Sequence, residues 1–145
     1  MKLFGLFAVI FLITQSIFAR EISPLGIWLV GDQDAKVELY MNKGNLEGKL
    51  VWLKEPLDTN GAPKLDLKNP DSAKQAQQIM GSVFLKNFKK DSSENKWIDG
   101  SVYDAKSGKA YSGWIKLKNE NKMELRGFIG ISLFGRTDEW TRDTL

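Results

Sequence analysis

The 145-residue chain contains no cysteine and no histidine. Without cysteine there is no disulfide framework, no zinc–thiolate site and no thiol nucleophile. Without histidine the commonest general base and metal ligand is missing, and no Ser–His or Cys–His pair can be assembled. Only carboxylates remain to hold a metal ion or to move protons. Charge of one sign is not concentrated either. The net charge is +3, and Lys and Arg are interleaved with Asp and Glu, so no basic stripe marks a nucleic-acid surface. No phosphate loop and no nucleophile elbow occur. The composition favours binding over catalysis, and it predicts no metal and no cofactor.

Long apolar runs are also scarce, with one exception at the start. In "MKLFGLFAVIFLITQSIFA", Lys2 precedes an apolar stretch from Leu3 to Ile13, and the small residue Ala19 closes it. This is the layout of a secretory signal peptide cut after Ala19. The stretch falls short of the roughly 20 apolar residues that span a bilayer. The expectation is a signal peptide over 1–19 and one domain over 20–145, with no transmembrane segment in the mature chain and a periplasmic or secreted location. No cysteine follows the apolar run, so no lipid anchor is attached there.

What the chain does have is a period of two after Pro24. "GIWLV" opens the series. "KVELYM" (36–41) puts Val37, Leu39 and Met41 on one face, and "NLEGKLVWL" (45–53) does the same with Leu46, Leu50 and Trp52. "IMGSVFLKNF" (79–88) groups Ile79, Val83 and Leu85, with Phe84 and Phe88 on its other face. "KWIDGSVYD" (96–104) groups Ile98 with Val102. "KAYSGWIKLK" (109–118) groups Tyr111, Ile115 and Leu117, and "KMELRGFIG" (122–130) groups Met123, Leu125 and Ile129. "RTDEWTR" (136–142) reads as a last strand. Short strands at regular spacing, separated by turns such as "NKGN", "AKSG" and "NEN", predict an all-β, up-and-down barrel of about eight antiparallel strands. Residues 54–78 break the pattern. They hold three of the four prolines, and Asn69 or Asp71 is placed to cap a short helix reaching about Gln78. A loop of this length is often functional, and it is expected to lie over one barrel mouth.

Five glycines, Gly48, Gly81, Gly100, Gly113 and Gly127, fall mid-strand on the faces read as inward. Glycine weakens a strand, so the repetition calls for a reason. Two fit: relief of crowding where a small barrel bends, and space left for a ligand.

Gly26-x-Trp28 at the first strand resembles the opening motif of lipocalins and their calycin relatives. The resemblance implies that Trp28 packs across one end of the barrel under a basic residue from near the last strand. Trp140 and Arg142 lie there, so Gly26, Trp28, Trp140 and Arg142 are expected to close the barrel. A wider resemblance covers nearly the whole mature chain. The blocks "GIWL", "GKLVWL", "DLKNPD", "WIDGSVYDAKSGKAY", "LRGFIG" and "GRTDEWTR" are similar to an uncharacterised family of exported bacterial proteins, a domain of unknown function with a lipocalin-like barrel. Ala105 departs from that family, which usually has Pro after Tyr-Asp. The resemblance implies an exported barrel with a possible ligand pocket, and no settled activity.

The polar candidates are few. Asp66, Asn69 and Asp71 offer oxygens to Ca²⁺ but are too few, and Asx-turns and a helix cap explain them better. Asp99 and Asp104 are expected on opposite faces, which speaks against acid–base work. Arg126 falls outward, toward Trp114. The alternation puts almost no Asp or Glu inside, which counts against a carboxylate-dependent hydrolase. The site expected is therefore a barrel lining of Leu39, Leu50, Trp52, Val83, Leu85, Tyr111, Ile115, Leu125 and Ile129, holding a small apolar or amphipathic molecule. For Trp52 and Tyr111, pocket and plain core are equally open. The alternative is a filled barrel that binds a protein partner through its surface, with Leu133 and Phe134 at the tip of the apolar turn "GISLFG".

Overall fold

The period-two segments become eight strands: β1 (Gly26–Leu29), β2 (Ala35–Asn42), β3 (Asn45–Leu53), β4 (Val83–Lys90), β5 (Lys96–Asp104), β6 (Lys109–Asn119), β7 (Lys122–Phe128) and β8 (Gly135–Asp143). The structure is a computed structural model and describes residues 21–92 and 95–145; the predicted signal peptide lies outside the described residues. Each strand pairs antiparallel with the next, and β8 returns to pair with β1, Trp28 facing Arg142. The result is a closed barrel with no free edge. Among the described residues no helix is long and apolar enough to cross a membrane.

Because the strands run up and down, the connections alternate between the two ends. One end carries the tight turns β2–β3 and β6–β7 and the connection between β4 and β5. The other carries the connections β1–β2, β3–β4, β5–β6 and β7–β8, including the long segment 54–82. This segment lacks the predicted helix. It contains a single 3₁₀ turn, Ser72–Lys74, capped by the Asp71 carboxylate, which accepts from the Ala73 N–H at 3.0 Å. None of its residues is buried, so nothing offsets the cost of nucleating a longer helix. The segment is instead a folded-back ribbon, with isolated bridges at Leu57–Pro63 and Leu65–Gln78.

The half of the barrel near the tight turns is filled. Leu39, Leu46, Leu85, Phe88, Ile115 and Met123 are fully buried there, with Trp28 across the end. Two residues of this core, Phe88 and Trp97, lie on faces that strict alternation makes outward. Their neighbours explain the reversal. Asn87 and Asp99 both adopt positive φ, 62° and 58°, and each adds one residue to its strand's alternation. Leu85 and Phe88 therefore both point inward on β4, as do Trp97 and Gly100 on β5. A one-residue slip of this kind turns the rest of a strand over.

The glycines divide along the same line. A Cβ on Gly100 would lie 2.3 Å from the Phe88 ring, and one on Gly48 2.8 Å from Leu85. These two make room for large core side chains, not for a ligand. Gly127 is different, since a Cβ there meets only Tyr111 at 3.7 Å. Gly81 is not in a strand at all: it is an exposed turn residue ahead of β4.

Candidate ligand cavity

The first and last strands are locked at the filled end. The Arg142 guanidinium lies 4.3 Å from the Trp28 ring centroid and donates to the carbonyls of Leu25 (2.8 Å), Ser23 (2.7 Å) and Glu120. The Trp28 indole donates to Pro24 O at 2.8 Å. Gly26 has φ 120° and no side chain, and a Cβ there would sit 3.1 Å from the guanidinium. The Gly-x-Trp spacing thus leaves a slot for the arginine and supplies the ring on which it stacks. Trp140, two residues earlier on β8, is buried in the wall of the opposite half, where its indole donates to Asp138.

That opposite half is hollow. A cavity of about 820 Å³ opens between the β1–β2 turn, the long β3–β4 segment, the β5–β6 turn and β8. Its apolar wall is formed by buried Val37, Leu50 and Trp140 and half-buried Leu53, Ile79, Phe84 and Val102. Lys54, Glu55, Lys64, Asp32, Asp34, Asp104, Lys106 and Asp138 surround the opening.

Of the residues expected to line a pocket, Leu50 does so. Leu39, Leu85, Ile115 and Leu125 are buried in the packed core. Val83 and Tyr111 are half-buried and outside the cavity wall. Trp52 points outward, 37% exposed, with the Lys36 ammonium 5.6 Å from its ring. A bulge between Lys36 and Val37 turns the end of β3 over, so Leu53 faces the cavity in its place. Ile129 lies beyond the end of β7 and is 69% exposed.

The long segment lies over the open end as expected; its particular wall residues and the acidic rim were not read from the sequence. The strand pattern leaves almost no carboxylate facing inward; a strand-borne exception is Asp138, exposed at the opening and on the same strand face as Trp140. Its Oδ2 accepts from the Trp140 indole at 2.7 Å and from the Gly31 N–H at 3.3 Å. The alternation of "DEW" was a usable signal for it. Asp32 and Asp34 lie in the β1–β2 turn and hydrogen-bond to each other. The Asp34 N–H donates to Asp32 Oδ1 at 3.4 Å. Hydrogen bonding with Asp34 holds the Asp32 carboxyl below its ordinary range, and the same interaction, with burial, pushes Asp34 up. Asp104 is occupied by its own turn, accepting from Ser107 Oγ and the Lys106 N–H.

The long segment is held on the barrel by Tyr103, whose hydroxyl donates to Asp66 Oδ1 at 2.7 Å; Asn69 donates to the other carboxylate oxygen, also at 2.7 Å. Burial, then the hydrogen bond to the Asp66 carboxylate, pushes the Tyr103 hydroxyl up to about 12. Asp66, Asn69 and Asp71 are thus engaged in packing the segment, and among the described residues no cluster of acidic side chains is arranged to hold a metal ion. Asp99, at positive φ, is exposed in the β5 bulge. Arg126 pins the β7–β8 connection by donating to Ser132 O, Leu133 O and Thr137 Oγ1, and the Trp114 indole donates to Ser132 Oγ. Leu133 and Phe134 stand clear of the surface, 76% and 73% exposed.

An eight-stranded closed meander, tied by an Arg–Trp stack at one end and hollow at the other, is a lipocalin-like barrel. The chain belongs to the bacterial family described as "Uncharacterized protein conserved in bacteria (DUF2147)", whose family model matches residues 26–142. Its fold is similar to that of protein HP1028 from the human pathogen Helicobacter pylori, which is described as belonging to the lipocalin family. The TM-score is 0.71 at 21% identity, over 85% of this chain and 84% of that one. No curated protein matches the chain.

Proposed function

We propose that this is an exported, non-catalytic protein that holds a small apolar or amphipathic molecule in the open half of its barrel. The observation that carries the reading is the cavity of about 820 Å³ with apolar depth and polar rim. Its size falls in the range of small-molecule sites, and its wall fits a ligand driven in by burial, at about 25 cal/mol per Å² of apolar surface removed from water. Export rests on the N-terminal sequence pattern, and a periplasmic or secreted location follows from it. The absence of His and Cys, together with the engagement of Asp104 in its own turn, supports binding over catalysis.

The test is native mass spectrometry of mature protein purified gently from bacterial envelope or medium, followed by denaturation and extraction. A stoichiometric small molecule is expected, released on denaturation and absent from a Leu53→Arg variant. A clean apo mass, with no binding of a panel of lipids and apolar dyes, overturns the reading. A second reading is favoured by one observation, the exposed apolar tip held rigid by Arg126 and Trp114. In it Leu133 and Phe134 dock on a protein partner, and a Phe134→Asp variant loses that partner in a pull-down while keeping the small ligand.

A further inference from the structure

The rim of the cavity is acidic although the chain as a whole carries a net positive charge. Five carboxylates line the cavity (Asp32, Asp34, Glu55, Asp104, Asp138) against three ammonium groups, Lys54, Lys64 and Lys106. Two of the ammonium groups are matched locally, Lys64 with Glu55 at 4.0 Å and Lys106 with Asp34 at 3.4 Å. Asp138 has no such match: among the described residues no Lys or Arg pairs with it. Its carboxylate is nevertheless held in place. The Trp140 indole and the Gly31 N–H both donate to Oδ2, and the Gly31 Cα packs so closely that a Cβ there would lie 2.1 Å from Oδ1. A rigid strand and a buried indole thus present an anionic acceptor where the apolar wall meets the rim.

We infer that the ligand of this barrel is a cationic amphiphile, an amine on an apolar tail, with its ammonium head at Asp138 and its tail along Val37, Leu50 and Val102. The inference rests on the proposed function, which it narrows from any amphipathic molecule to one charge type. An ammonium donates to Asp138 through a charge-assisted hydrogen bond, about twice as strong as a neutral one. The neighbouring Asp32–Asp34 pair adds negative potential from the β1–β2 turn. A carboxylate head would meet this acidity with only Lys54 left to receive it.

The experiment compares three probes of equal tail length, dodecylamine, dodecanol and dodecanoate, each below its micelle concentration, by calorimetry on the mature protein. The amine is expected to bind about tenfold tighter than the alcohol, as befits one charge-assisted hydrogen bond, and dodecanoate weakest. Asp138→Asn keeps an acceptor for the Trp140 indole; it is expected to bring the amine to the level of the alcohol and to leave the alcohol unchanged. Two results overturn the inference and leave the proposed function standing: dodecanoate binding best with that preference lost in Lys54→Gln, or an amine preference indifferent to Asp138→Asn. Failure of all three probes to bind overturns the inference together with the reading on which it rests.

Discussion

The two halves of this barrel are built from the same eight strands and differ in nearly everything else. Near the tight turns, Phe88, Trp97, Leu85 and Trp28 fill the interior, and Gly48 and Gly100 are small because those neighbours are large. Toward the long segment, the same strands carry Val37, Leu50 and Val102, and the interior stays open. The contrast teaches that closure and cavity are separable tasks. The filled half holds the cylinder together, so the open half need not be packed. Three tests, one of them a pair of substitutions, break or sharpen that division.

The largest effect is expected from Trp28→Ala, which removes a fully buried ring and the platform for Arg142. A loss of about 3–5 kcal/mol, the usual cost of deleting a buried Trp, is expected from the urea midpoint. A smaller loss would mean that the filled half is not where stability resides. Next comes a pair of glycine substitutions that sequence alone treats as equivalent. Gly100→Ala drives a methyl into the Phe88 ring and is expected to cost about 1–3 kcal/mol. Gly127→Ala, near the mouth, meets only an ordinary contact and is expected to stay within about 0.5 kcal/mol of the parent by the same measurement. Equal costs at the two sites would erase the distinction between the halves.

The smallest effect concerns the mouth. Tyr103→Phe is expected to cost about 1 kcal/mol at neutral pH, the net worth of its hydrogen bond to Asp66. In the folded protein the phenol ionises near 12, against about 10 when unfolded. Between those values the folded state retains a proton that the unfolded chain has lost, so stability from this group is intact below pH 10 and falls as pH rises toward 12. Urea midpoints of the two proteins should therefore converge as pH rises above 10 and cross before 12, since two pKa units outweigh a difference of about 1 kcal/mol. A constant difference would show that Tyr103 does not titrate in this way.

Strand number, order and direction were legible in the sequence because period-two segments and turn residues report them directly. The wide resemblance named the family, and Gly26-x-Trp28 pointed to Arg142. Three local irregularities hid the rest. The bulge at Lys36/Val37 turned Trp52 out, and the positive-φ residues Asn87 and Asp99 turned Phe88 and Trp97 in. Neither Asn nor Asp announces a bulge in advance, and one inserted residue reverses every face beyond it. The cavity wall was hidden for another reason. Much of it comes from the β1–β2 turn and the segment 54–82, where no periodicity tells inside from outside. Asp138 is the exception, two positions from a Trp on one strand and therefore on the same face.

The Arg142 clasp also sets an order of events in time. Seven of the eight strand pairings join neighbours in the chain, six of them across short connections and β3–β4 across the long segment 54–82. The eighth waits for an arginine that bonds to a carbonyl 117 residues away, and it arrives with the last strand. Hairpins of low contact order form quickly, whereas a contact across the whole chain carries the largest loop-closure entropy. The β1–β8 pairing is therefore expected to form after the hairpins, as the step that turns a curled sheet into a closed barrel.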